Sequence, residues 1–86
     1  MIEIKKFEAD WCGPCKMLRP VFESLEKKLD SNVKISYIDV DENLDLAINY
    51  DVRSVPTVVI EKDGTEVNRI MGAQTEQTYL NEIKKL

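Results

Sequence analysis

Trp11-Cys12-Gly13-Pro14-Cys15 stands between an apolar, strand-like opening and a long amphipathic pattern of helical period, and it holds both cysteines of the chain. Two thiols separated by two residues at a helix start can close a small disulfide ring. The same helix start can stabilise a thiolate, because its first backbone N–H groups lack partners and lie at the positive end of the dipole. Cys12 is the sulfur so placed. A free thiol with a pKa of about 8.5 is only roughly 3% ionised at neutral pH, and lowering it to about 7 makes half of it nucleophilic. Pro14 suits the first helical turn, where its missing N–H has no use, and Gly13 lets the backbone bend between the sulfurs. Cys15, one turn further on, is expected to be the more buried thiol, and Cys12 to be exposed beside Trp11. The pattern points to redox chemistry.

Other readings of a cysteine pair are weaker. A closed zinc site needs four ligands, and this chain has no histidine and no third cysteine, so no metal and no cofactor is expected. A purely structural disulfide over so short a loop would constrain the unfolded chain little.

The stretch from Trp11 to Cys15 and on to Lys16 resembles the thioredoxin active site residue for residue. A second stretch, Ser54-Val55-Pro56-Thr57, resembles the same family, in which the proline follows a cis peptide bond and lies opposite the sulfurs. Its spacing from Cys12 is the family's, without a gap. A proline opening a strand is otherwise only a boundary marker. The resemblance implies thiol–disulfide exchange, with Cys12 as nucleophile, Cys15 as resolving thiol and a redox disulfide between them. Trp11, Gly13, Pro14, Val55, Pro56 and Gly72 would form the active-site loop and client-binding surface, the backbone of Val55 pairing with an extended client segment. Gly72 reads equally as a turn glycine.

One departure from the family lies beneath the site. Where thioredoxins usually have a buried Asp, six residues before the first cysteine, this chain has Lys6. Glu8 stands where an aromatic residue is common, and Tyr37 replaces the family's partner lysine. Residues two apart on a strand share a face, so Lys6 and Glu8 could meet beside Cys15 and tune the thiols, with Tyr37 a third candidate. The alternative is that both reach solvent.

Around these motifs the chain reads as one domain, 1–86, with 43% apolar and 33% charged residues. A net charge of −4 without a basic stripe argues against nucleic acid. No apolar run is long enough for a membrane span, and Met1 to Lys6 is no signal peptide. The expected setting is the cytoplasm, where a lone cysteine pair serves catalysis more often than scaffolding.

The expected elements are a strand over 2–8, a helix over 13–29 interrupted by Pro20, a strand over 33–40, and a short helix within 41–50. Leu44, Ala47 and Ile48 should turn that helix to the core, with Asp41 or Glu42 at its start. A hairpin of strands at about 57–62 and 66–71 turns at Asp63-Gly64, and a last helix is capped by Thr75. The fold class is α/β, a minimal thioredoxin fold with a four-stranded mixed sheet in the order 2-1-3-4 and three flanking helices. Met1 stands where the family's strand leading into the active site begins, so a short member lacking the usual first strand and helix is expected. That would leave Glu3 and Lys5 closer to water and make the second strand a sheet edge, protected by Lys34.

The implied partners are client proteins with disulfides and a thioredoxin reductase or other external reductant, acting on a monomer. Three other classes remain open. They are a glutaredoxin-like, glutathione-dependent reductase, a redox-independent binding subunit of another enzyme, and an oxidase or isomerase of a secreted pathway.

Overall fold

The computed structural model describes residues 1–86. Alternating apolar side chains make β1 (Ile2–Glu8) the inner strand of a four-stranded sheet ordered β2-β1-β3-β4. β2 (Val33–Asp39) runs parallel to it, with Ile4 opposite Ile35 and Phe7 opposite Ile38. α1 (Gly13–Glu26) makes the crossover that a parallel pair requires. β3 (Thr57–Lys62) pairs antiparallel on the other side, with Ile4 opposite Ile60, and continues through a hairpin into β4 (Thr65–Met71). Asp63 and Gly64 both have positive φ, the geometry a two-residue hairpin turn demands.

Ile2, Ile4, Val58 and Ile60 face α1 and α3 (Glu76–Lys84), and Phe22 and Tyr79 meet edge to face between the helices at 5.1 Å. Phe22 is fully buried, and truncating such a side chain to alanine costs about 3–5 kcal/mol. The opposite face buries Phe7, Ile38 and Val59 beneath α2 (Leu44–Asn49).

Three expectations are corrected. α1 ends at Glu26 rather than Leu29. Lys27 and Lys28 donate to the carbonyls of Ser24 and Leu25, three residues back, so the last turn tightens, while Leu29 still packs against the core. α2 is shorter than expected and rotated: Leu44 and Ile48 are 62% and 72% exposed, and the inward residues are Leu46, Ala47 and Tyr50. Its approach turn is built by Asp39, whose carboxylate accepts from the N–H groups of Asp41 and Glu42.

Third, Glu3 and Lys5 are only partly open to water, their side chains 31% and 14% exposed, because both are paired. The Lys5 ammonium bonds Glu61 and lies 3.2 Å from Glu3, the Ser36 hydroxyl donates to Glu3, and the Tyr50 hydroxyl donates to Glu61. Charge on that face is therefore satisfied by neighbouring strands and by Tyr50 at the end of α2.

Candidate active site

The site lies where β1 ends and α1 begins. Cys12 is the N-cap of α1, and its Sγ accepts the N–H of Cys15 at 3.1 Å. A thiolate at that position takes up one of the helix's unpartnered donors. Gly13 and Pro14 form the first turn, and a side chain added at Gly13 would meet open space, so the glycine serves the bend rather than a close approach. Cys12 and Cys15 are joined by a disulfide with their Cα atoms 5.2 Å apart.

Cys12 is less open than its place beside Trp11 suggests. It is 4% exposed and Cys15 1%, because Ala9, Val40 and Val55 pack around the pair. Trp11 itself is 69% exposed, and its indole N–H donates to the Asp41 carboxylate at 2.9 Å. Nothing in the sequence marks Asp41 as a site residue. It lies thirty residues from Trp11, and no local signal links the two.

The Val55–Pro56 peptide bond is cis, and the Val55 carbonyl oxygen lies 3.7 Å from Cys12 Sγ. In the disulfide state that sulfur has no proton to give, so the contact becomes a hydrogen bond only when Cys12 is a thiol. Gly72 donates its N–H to the Pro56 carbonyl at 2.9 Å with φ of 81°, and a Cβ there would meet nothing within 4 Å. Left-handed backbone calls for glycine, and the space outside it is open to a docking chain. Trp11, Leu44, Ile48, Val52 and Val55 line a shallow apolar hollow of about 240 Å³ beside the disulfide.

Beneath the sheet end, Lys6 is fully buried and its ammonium bonds Glu8 at 2.7 Å. It also lies over the rings of Phe22 and Tyr37, 5.1 and 5.5 Å from their centroids. The reading in which both charges reach solvent is overturned, since the inward face of β1 carries Lys6 under α1. Neither sulfur is among its hydrogen-bond partners. Tyr37, on the outer strand, donates to Glu26 at 2.6 Å, and burial together with that carboxylate pushes its phenol well above the usual range. It holds the foot of α1 and does not join the cysteines.

The sequence model described as Thioredoxin matches residues 2–85. The chain belongs to the thioredoxin family. It is 39% identical over 84 residues to thioredoxin from Staphylococcus saprophyticus, covering 98% of this chain and 81% of that protein. Among solved structures, a mutant thioredoxin from Halobacterium salinarum superposes with a TM-score of 0.89 at 43% identity, over 98% of this chain and 73% of that one. Oxidised mitochondrial thioredoxin 3 from Saccharomyces cerevisiae gives 0.91 at 36% identity, over 99% and 78%. Thioredoxin membership and the Cys12–Cys15 disulfide together make this chain a thiol–disulfide oxidoreductase of the protein-disulfide reductase type. No helix is long and apolar enough to cross a membrane.

Proposed function

We propose that Cys12 is the attacking thiol and Cys15 the resolving one in the reduction of protein disulfides. The observation that supports this assignment most is the Cys15 N–H directed at Cys12 Sγ from the helix start. The Cys12 thiolate attacks one sulfur of a client disulfide. That S–S bond breaks, a mixed disulfide forms, and the released client thiolate takes a proton from solvent. Cys15, deprotonated, attacks Cys12 Sγ, expels the second client thiolate and closes the Cys12–Cys15 disulfide. Two electrons have passed to the client, and an external reductant such as a thioredoxin reductase returns two electrons and two protons.

Trp11, Val55, Pro56 and Gly72 form the client surface, with the apolar hollow beside Trp11 receiving side chains that flank the client cysteine. Gly13 and Pro14 shape the turn between the sulfurs. The chain acts as a one-domain monomer in the cytoplasm and needs no cofactor of its own.

The test is turnover of a protein disulfide with a thioredoxin reductase and, separately, with glutathione. Fast turnover with the reductase, lost in Cys12→Ser, supports the proposal. Fast turnover with glutathione alone would make it glutaredoxin-like, and partner binding unchanged in Cys12→Ser/Cys15→Ser would favour a binding subunit.

A further inference from the structure

Arg69, on β4, sends its guanidinium across the sheet to the segment that leads to Val55. Nη2 donates to the Tyr50 carbonyl at 2.6 Å and Nη1 to the Asp51 carbonyl at 3.3 Å. Nε and Nη2 also donate to the two oxygens of Glu66, each at 2.9 Å, which fixes the plane of the fork. The two carbonyls lie at the C-terminal end of α2, where a helix leaves its last acceptors without N–H partners and favours a cation.

Asp51 follows with φ of 53°, the left-handed C′ position that closes α2, its own N–H and that of Val52 donating to the Ile48 and Ala47 carbonyls. The Tyr50 hydroxyl is tied separately to Glu61 on β3. Both ends of Tyr50 are thus fastened to the sheet just before the chain turns toward the active site. The other ties of the 51–56 segment are the N–H groups of Asp51 and Val52 on the Ile48 and Ala47 carbonyls, Arg53 on the Asp51 carboxylate, the Thr57 hydroxyl on the Ser54 carbonyl, and, from β4, the Gly72 N–H on the Pro56 carbonyl.

We infer that Arg69 is a positioning residue for disulfide exchange: by clamping Tyr50 and Asp51 it holds the 51–55 segment so that the Val55 backbone stands ready beside Cys12 to receive an extended client chain. The inference rests on the reading that clients pair with Val55. A planar fork serves here because it can span two carbonyls and a carboxylate at once, which an ammonium cannot. Preorganising a binding segment lowers the ordering cost of association, so its loss falls on client binding rather than on the chemistry at sulfur. A small disulfide that meets Cys12 without lying along Val55 escapes the loss.

The test compares wild type, Arg69→Met, Arg69→Lys and Glu66→Gln on a protein disulfide and on a small aromatic disulfide, with amide hydrogen exchange of 52–55 measured on the resting oxidised proteins. Arg69→Met should raise KM for the protein disulfide about fivefold with kcat within about twofold, and leave the small disulfide unchanged. Arg69→Lys should recover part of the loss, and Glu66→Gln, which touches no carbonyl, should reproduce a smaller loss. Exchange in 52–55 should quicken in Arg69→Met. A folded Arg69→Met with unaltered exchange in 52–55, or with equal changes toward both disulfides, overturns the inference. Hydrogen exchange reads the clamp without turnover, so an inactive wild type would sink the reductase reading while the clamp itself is still decided.

Discussion

The backbone N–H of Cys15 donates to Cys12 Sγ at 3.1 Å, so the second cysteine of the pair supplies, through its backbone, the donor that holds the first. This makes the two thiols unequal. In the reduced protein Cys12 should be alkylated first at pH 7, and Cys12→Ser should lower disulfide reduction by at least about a hundredfold. Cys15→Ser should instead accumulate a mixed disulfide with the client, read by mass spectrometry. Faster alkylation of Cys15 would reverse the two roles.

Trp11 is the chain's one tryptophan, adjoins the disulfide and is anchored by Asp41. Its fluorescence should change when the disulfide is reduced. Asp41→Ala removes an exposed charge-assisted bond of about 1 kcal/mol, which corresponds to roughly a fivefold effect at most on client turnover. Emission spectra of the variant in both redox states check the link, and identical spectra with unchanged turnover would remove Asp41 from the site.

Lys6 and Glu8 form a pair in which the cation is wholly buried and the carboxylate is 19% exposed. Lys6→Met leaves Glu8 without its partner and should cost about 1–3 kcal/mol by denaturant titration, below the range for a fully buried pair because Glu8 reaches water. The uncompensated negative charge disfavours a thiolate above it, so the pH midpoint of Cys12 alkylation should rise. Adding Glu8→Gln restores a neutral pair and should return the midpoint toward wild type. A midpoint that stays fixed in both variants would confine Lys6 and Glu8 to a structural role.

Four carboxylates held low in the folded chain, Glu3, Asp63, Glu66 and Glu76, link stability to acid pH, and two of them, Glu3 and Glu66, are less than fully exposed and paired within the sheet. The Ser36 hydroxyl, with Lys5, holds Glu3 below its ordinary 4.5, and the Arg69 guanidinium does the same for Glu66. A carboxyl with a lower pKa in the folded chain than in the unfolded one stabilises the fold above the unfolded value, and that contribution is lost as pH falls through the folded one. Stability should therefore decline from about pH 5 downward. Glu66 is more than a third exposed, so its share should be under about 1 kcal/mol after screening. Urea midpoints at pH 7 and pH 3 should converge slightly in Glu66→Gln, and an unchanged difference would show that solvent cancels the pair.

Much of this protein was legible in its residue order because the signals are local. The cysteine spacing, the helical period from Leu18 to Leu25, the Asp63-Gly64 turn and the Thr75 cap each act within a few residues, and the four-strand order followed from the family they resemble. The expected helix end at Leu29 went astray because apolar period outlasts helical hydrogen bonding by one turn. Leu44 and Ile48 were misplaced for a related reason. In a helix of six residues the period is too short to say which side faces the sheet, and packing of Leu46 and Tyr50 beneath Phe7 decided it.

The order and type of the elements, the redox pair and the family can be read from residue types at short or fixed spacing, though not the end of α1 or the buried side of α2. Only the tertiary structure decided where charge goes. Lys6 under Phe22 and Tyr37, Lys5 against Glu61, Trp11 on Asp41 and Arg69 on the carbonyls of Tyr50 and Asp51 all join residues brought together by the sheet and its crossovers. The physical reason is that a polar or charged side chain is stabilised by whichever partner the fold sets beside it, and while a near neighbour such as Glu8 for Lys6 can be read from strand spacing, no pattern along the chain encodes a partner far away in sequence.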